Sequence, residues 1–162
     1  MVKKQILFLM GVSGSGKSTI GKLLAEKLQF PFFDGDNFHP EVNVEKMRKG
    51  HPLNDADRQH WLEKLNEVGI QNLATGAIIV CSSLKEKYRT ILGKNLENHH
   101  QFIFLDGSFE LIEARLTKRK NHYMPKGLLQ SQFDDLETPK DALTVSIDQT
   151  PDEIVTDIIK KL

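Results

Sequence analysis

The sequence predicts an α/β protein in which a five-stranded parallel β-sheet is flanked by helices. Three observations carry that expectation. Short apolar runs of strand type alternate with longer stretches whose apolar residues recur at helical spacing, the order that a parallel sheet with helical crossovers requires. The first run, Gln5-Ile6-Leu7-Phe8-Leu9-Met10, leads directly into Gly11-Val12-Ser13-Gly14-Ser15-Gly16-Lys17-Ser18, which matches G-x-x-x-x-G-K-[ST] at every fixed position. The second run, Phe30-Pro31-Phe32-Phe33-Asp34, ends in the acidic turn Asp34-Gly35-Asp36. In a parallel sheet the strand C-termini share one edge, so the glycine loop and the acidic turn are expected side by side.

After the loop, Ile20, Leu23, Leu24 and Leu28 keep helical spacing, so a helix starts at the loop's last residues. Glycines at 11, 14 and 16 let the backbone turn tightly and aim successive N–H groups inward, where they and the helix N-terminus can hold a polyphosphate. The expected nucleotide-binding set is Gly11, Val12, Ser13, Gly14, Ser15, Gly16, Lys17, Ser18 and Thr19. Lys17 bridges the β- and γ-phosphates in this reading, and the Ser18 hydroxyl holds Mg²⁺. The loop points to a nucleoside triphosphate but does not choose among kinases, motors and switches.

His39-Pro40 precedes a short helix over about 42–49, stopped by Gly50 and Pro52. A longer helix, capped by Asn54 or Asp55, turns Trp61, Leu62, Leu65, Val68 and Leu73 toward the core and runs up to Gly76. Arg58 lies in its first turn, where a cation opposes the helix dipole and a bound anion would explain the placement. The third strand, Ala77-Ile78-Ile79-Val80-Cys81, runs into Ser82-Ser83-Leu84-Lys85-Glu86, where Ser83 and Glu86 read as a capping box. Lys85, Tyr88 and Arg89 then share one helix face, and Cys81 reads as a small buried apolar residue.

The fourth strand, over 101–106, ends in Asp106-Gly107-Ser108, which invites a metal-ligand reading of Asp106 and equally reads as a turn and helix cap. The next helix carries Leu111, Ile112 and Leu116 inward and Arg115, Lys118, Arg119 and Lys120 elsewhere. Asn121-His122-Tyr123-Met124-Pro125-Lys126-Gly127 breaks the helical pattern, which resumes over 128–136. A basic segment that interrupts two helices, about 119–136, is read as a lid whose closure brings Arg119 against the transferring phosphoryl group. The fifth strand spans about 142–147, and Thr150-Pro151-Asp152-Glu153 opens the last helix with a capping box and Pro at its first position.

A chain of 162 residues fits one domain. Lys plus Arg equals Asp plus Glu at 22 each, so no overall positive field draws nucleic acid or an anionic membrane surface. The one cysteine rules out an internal disulfide framework. The apolar run near the N-terminus is too short for a signal segment, and no window approaches the roughly 20 apolar residues of a membrane span. A soluble, cytoplasmic enzyme or switch is expected.

Taken together, these residues resemble the gluconokinase family, small P-loop kinases related in fold to shikimate and nucleoside monophosphate kinases. The resemblance rests on the phosphate loop, on Asp34-Gly35-Asp36 with His39-Pro40, and on Lys46-Met47, Gly50, Pro52-Leu53-Asn54-Asp55, Asp57-Arg58 and Trp61-Leu62. It extends through Cys81-Ser82-Ser83-Leu84-Lys85 with Tyr88-Arg89, and Leu128-Leu129 with Ser131-Gln132-Phe133 and Leu136-Glu137. It implies a three-layer P-loop kinase fold with a small helical lid, and ATP- and Mg²⁺-dependent phosphorylation of D-gluconate at its terminal hydroxyl. Lys17, Asp36 and Arg119 are then catalytic, with Asp36 orienting the attacking hydroxyl and accepting its proton. Ser18 and Asp34 hold the metal, Arg115 stacks on adenine, and Arg58 forks onto the sugar-acid carboxylate. Lys85, His39 and Gln132 join Asp36 and Arg58 in the substrate-binding set, and relatives of this kind are often homodimers. Another small-molecule kinase, such as a shikimate kinase, is the nearest alternative. A nucleotide-dependent switch is a further one, although the D-x-x-G and N-K-x-D spacings of GTPases do not occur.

Overall fold

The structure, a computed structural model, describes residues 2–119 and 126–162. Its five strands are β1 (Ile6–Met10), β2 (Phe32–Asp34), β3 (Ala77–Val80), β4 (His100–Asp106) and β5 (Leu143–Ser146). They pair in parallel in the order β2-β3-β1-β4-β5. From β1 the chain moves to one side for β2 and β3 and then crosses to the other for β4 and β5. A crevice therefore opens beyond the C-terminal end of β1, where Gly11 follows.

Helices cover both faces. On one lie α1 (Lys17–Leu28), α5 (Phe109–Lys118), α6 (Lys126–Asp135) and α7 (Pro151–Lys161), burying Ile20, Leu24, Ile112, Leu116, Leu129, Ile154 and Ile158 against Leu7, Leu9, Ile78, Val80, Ile103, Leu105 and Val145. On the other, α3 (Asp55–Gln71) and α4 (Glu86–Leu92) pack Trp61, Leu62, Leu65, Val68, Tyr88 and Leu92 against Ile6, Phe8, Ala77 and Ile79. A further helix, α2 (Glu41–Arg48), buries only Asn43. Every residue of β1 is fully buried because alternate side chains enter opposite layers, which is why its sequence is apolar throughout instead of alternating. Each such side chain contributes about 1.5–3 kcal/mol of transfer free energy.

The helix ends follow local chemistry at three of four expected caps. Asn54 accepts the Asp57 N–H at 2.8 Å while the Asp57 carboxylate accepts the Asn54 N–H at 2.9 Å. Thr150 and Glu153 make the same reciprocal pair ahead of Pro151, and Ser108 caps α5. The expected box between Ser83 and Glu86 is not formed. Ser83 adopts a left-handed backbone with φ 52°, its hydroxyl turns back to the Cys81 carbonyl, and Lys85 becomes the N-cap. The Glu86 N–H is accepted instead by the Glu137 carboxylate at 2.8 Å, from a residue 51 positions away. The long helix also stops earlier than its apolar stripe suggests, at Gln71, and the chain turns through 72–76 into β3.

The acidic turn is set by close packing. A short 3₁₀ turn, Gly35–Phe38, follows β2, and a Cβ at Gly35 would lie 2.5 Å from the Val80 carbonyl oxygen. The Trp61 indole N–H donates to the Gly35 carbonyl at 2.7 Å and holds the turn from the α3 side. Gly35→Ala is therefore expected to cost about 1–3 kcal/mol through backbone displacement, read as a fall of roughly 3–10 °C in Tm. An unchanged Tm would show that the turn has more room than this packing allows.

Candidate active site

The glycine loop wraps the start of α1. Gly11, Gly14 and Gly16 have φ values of 153°, 82° and 96°, conformations that side-chain-bearing residues avoid. Space excludes a side chain too: a Cβ at Gly11 would meet the buried Ser15 hydroxyl at 2.7 Å, and one at Gly14 would meet Leu116 at 2.8 Å. Gly16 is the N-cap of α1 without any side-chain cap, and the first turn holds no acidic residue, so the helix end is open to an anion.

Lys17 folds over this loop, its ammonium donating to the carbonyls of Gly11 at 2.9 Å and Val12 at 3.0 Å. The residue keeps some exposed surface, but its charged end is enclosed, and burial lowers its pKa from 10.5 to about 8. The charges of Asp36 and Asp34 oppose that shift, and Arg119 reinforces it. An enclosed ammonium with two carbonyl partners fits a polyphosphate, whose charge would compensate it.

Across the crevice, the Ser18 hydroxyl donates to Asp34 Oδ2 at 3.3 Å, and the Asp36 N–H donates to Asp34 Oδ1 at 3.0 Å. Asp34 thus shapes the turn and places a carboxylate against the hydroxyl that begins α1. The pair Ser18 and Asp34 suits a hard cation that keeps most of its ligands as phosphate oxygen and water. Among the described residues no group of three or more His, Cys, Asp or Glu side chains forms a metal cluster. Asp106 lies exposed at the end of β4.

Beside the turn is a pocket whose lining includes Arg58, Trp61, Ser82, Ser83, Tyr88 and Asp135. Arg58 Nη1 donates to the Tyr88 hydroxyl at 2.9 Å, with the guanidinium 5.4 Å from the ring centre. The Tyr88 hydroxyl in turn donates to Asp55, which also pairs with Lys87 and lies 3.8 Å from Lys85. Hydrogen bonds from Lys87 and Tyr88 hold the Asp55 carboxyl down at about 2. The His39 ring stacks on Trp61 with centroids 3.9 Å apart, its Nδ1 3.3 Å from the Asn43 amide nitrogen. That nitrogen also donates to the Asp57 carbonyl, so it serves as a donor to His39 Nδ1 and leaves the ring proton on Nε2. Burial lowers the His39 pKa, Asp36 opposes the shift, and Arg58 adds to it, so the ring is neutral and electrostatically in touch with both.

The fold brings Ser18 against Asp34 and Lys17 within electrostatic reach of Asp34 and Asp36, sets His39 within reach of Asp36 and Arg58, and places Lys85 beside Asp55. Other assignments land differently. The Gln132 amide sits on the phosphate loop: the Ser13 N–H donates to its Oε1 at 2.7 Å, and its Nε2 donates to the Ser13 hydroxyl at 3.0 Å. Arg115 donates to the Ile147 carbonyl beyond β5. Arg119 ends α5 exposed, close enough for its charge to act on Lys17. The remainder of the anticipated lid over 120–125, with Lys120 and His122, lies outside the described residues, whereas α6 buries Leu129 in the core. Asp135 escaped sequence reasoning, and Asp55 entered it only as a cap candidate and as part of a motif; Asn54 takes the cap, and Asp55 instead meets Tyr88, Lys85 and Lys87. Cys81 is buried, and burial pushes its thiol up to about 11, in keeping with an apolar packing role.

Comparison with known proteins identifies the family. The Shikimate kinase family model matches residues 13–162. The thermosensitive gluconokinase of Escherichia coli (strain K12) is 50% identical, covering 82% of this chain and 71% of its own length. The thermoresistant gluconokinase of the same organism is 44% identical over 96% of this chain and 94% of its own. The crystal structure of a gluconokinase from Sinorhizobium meliloti 1021 superposes with a TM-score of 0.87 at 36% identity, covering 98% of this chain and 92% of that one. Shared identity of this order over almost the full length, in sequence and in structure, shows that the chain belongs to the gluconokinase family, within the range of the shikimate kinase model.

Proposed function

We propose that the protein transfers the γ-phosphoryl group of ATP to the 6-hydroxyl of D-gluconate, giving 6-phospho-D-gluconate and ADP. The observation that carries this reading is the joint placement of the phosphate loop, the acidic turn and the Arg58 pocket on one crevice. In the reaction the bond from the gluconate 6-oxygen to the γ-phosphorus forms as the bond to the β,γ-bridging oxygen breaks. The hydroxyl proton passes to Asp36, and ADP leaves with the bridging oxygen. Lys17 and the loop N–H groups hold the β- and γ-phosphates, and Arg119 meets charge on the equatorial oxygens. Ser18 and Asp34 would hold Mg²⁺, which would supply positive charge against the phosphates.

Arg58, steadied by Tyr88, receives the far carboxylate, while Lys85 and neutral His39 contact hydroxyls along the acceptor. Arg115, anchored at Ile147, offers the face of its guanidinium to adenine. Among the described residues no helix is long and apolar enough to cross a membrane, and reliance on ATP suits a cytoplasmic location.

Coupled detection of ADP over a panel of D-gluconate, shikimate and nucleoside monophosphates tests the acceptor. Gluconate is expected to be the fastest, and a faster shikimate or nucleotide would overturn the reading. Arg58→Ala is expected to raise KM for gluconate by about 10- to 100-fold, the worth of a charge-assisted hydrogen bond. KM for ATP should change little in the same variant.

A further inference from the structure

Helix α6 touches both halves of the crevice. Toward its middle Gln132 grips Ser13 by two hydrogen bonds, at 2.7 and 3.0 Å, bridging residues 119 apart in sequence. Just past its end Glu137 grips the acceptor side: its N–H donates to the Leu84 carbonyl at 2.8 Å and its carboxylate accepts the Glu86 N–H at 2.8 Å. Arg89 locks that joint, donating to the carbonyls of Ser83 at 2.7 Å and Glu137 at 2.9 Å. Between the two grips Asp135 lines the Arg58 pocket, and Leu129, about one turn before Gln132, is buried in the core. A helical turn is stiff along its axis, so a displacement at Ser13 is carried to the loop over 82–86.

The contact at Ser13 lies on the loop expected to hold nucleotide. The peptide joining Val12 to Ser13 is planar, and its two ends are both engaged. The Val12 carbonyl accepts from the Lys17 ammonium at 3.0 Å, and the Ser13 N–H donates to Gln132 at 2.7 Å. A cation on the carbonyl polarises the peptide and strengthens the N–H as a donor. If Lys17 moves from Val12 to a phosphate, the carbonyl would lose its cation and the hold on Gln132 would weaken or reorient. This differential contact is what a coupling between two sites requires.

We propose that Gln132 is a positioning residue, linking the phosphate loop through α6 and Glu137 to the acceptor pocket, so that nucleotide occupancy resets the loop over 82–86 and gluconate and ATP alter one another's affinity. The gluconate arm rests on the acceptor assignment above; the structural arm does not. The role differs from direct contact with the acceptor, for which Gln132 was a candidate from sequence.

The test compares the full chain with its Gln132→Leu variant. Calorimetry measures Kd of a nonhydrolysable ATP analogue with and without saturating D-gluconate, and hydrogen exchange follows the Glu86 amide with and without the analogue alone. In the parent, gluconate should shift the analogue's Kd by about 5- to 150-fold, and the analogue should change Glu86 exchange by roughly a similar factor. In Gln132→Leu both responses should vanish while the analogue still binds. Should that variant fail to melt cooperatively, Ser13→Ala, which removes only the Nε2 contact, is expected to reduce both responses partway. Undiminished responses in either folded variant, or no Glu86 response in the parent, would overturn the proposal. So would weaker gluconate binding in Gln132→Leu with coupling intact, the mark of a direct contact. If gluconate fails to bind the parent while Glu86 still responds to the analogue, the acceptor assignment falls and the link through α6 stands.

Discussion

Lys17→Met is expected to lower kcat by a factor on the order of a thousand, with the fold intact. In the proposed reaction the ammonium holds the transferring group, and removal of such a stabiliser from an enclosed site has effects of about 10²–10³ or more. Methionine matches the length of the stem and leaves the Gly11 and Val12 carbonyls without a buried cation to satisfy. Stability should change little, because removal of an enclosed charge offsets the loss of a donor to those two carbonyls. The pH dependence gives an independent readout. Burial lowers the Lys17 pKa from 10.5 to about 8, so between those values the unfolded chain binds the proton and the folded protein does not. The contribution of Lys17 to stability is least favourable below pH 8 and improves as pH rises toward 10.5.

The stability of the variant relative to the parent should accordingly be highest near neutral pH and fall in alkali. Nucleotide should raise the Lys17 pKa again, so binding just above pH 8 draws in a proton, up to about one per site, measurable by calorimetry in buffers of different ionisation enthalpy. No proton uptake in the parent, or kcat within tenfold of it for the variant, would contradict this account of Lys17.

Asp36→Asn is expected to reduce kcat by about 10²–10⁴, the usual span for loss of a general base, with KM for gluconate nearly constant. The turn should survive, because its anchor is the backbone N–H of residue 36 on Asp34, which asparagine retains. Asp36 is also the leading charge that opposes the depression of the Lys17 pKa, so the variant should shift Lys17 further down. Loss of rate should therefore be accompanied by a displaced alkaline limb in the pH profile of kcat/KM. Full activity would remove Asp36 from its role as base, and a lost melting transition would mean that the turn depends on the carboxylate.

Much of the site was legible because its chemistry is contiguous. A strand, a glycine loop and a helix stand within 11 residues of Lys17 in either direction, and the loop's torsions need only Gly11, Gly14 and Gly16. Asp34 and Asp36 required one further step, that parallel strands end on a common edge, and β2, β3 and β1 pair in that sense. The Ser83 cap shows where such reasoning stops. The S-x-x-E pattern is present, but Ser83 is committed to a left-handed turn and a distant glutamate takes the amide it was expected to serve. Tertiary competition overrode a locally reasonable pairing.

The sequence by itself determined the succession of strands and helices along the chain, the phosphate loop, the acidic turn and the family, because each is written in neighbouring residues whose torsions and side chains act over a few ångströms. Only the tertiary structure decided which long-range partners those groups keep: Gln132 on Ser13, Arg58 on Tyr88, Tyr88 on Asp55 and Glu137 on Glu86. Such contacts join residues between 30 and 119 positions apart. A polar side chain on a helix carries no local mark of the donor or acceptor that packing will bring within reach.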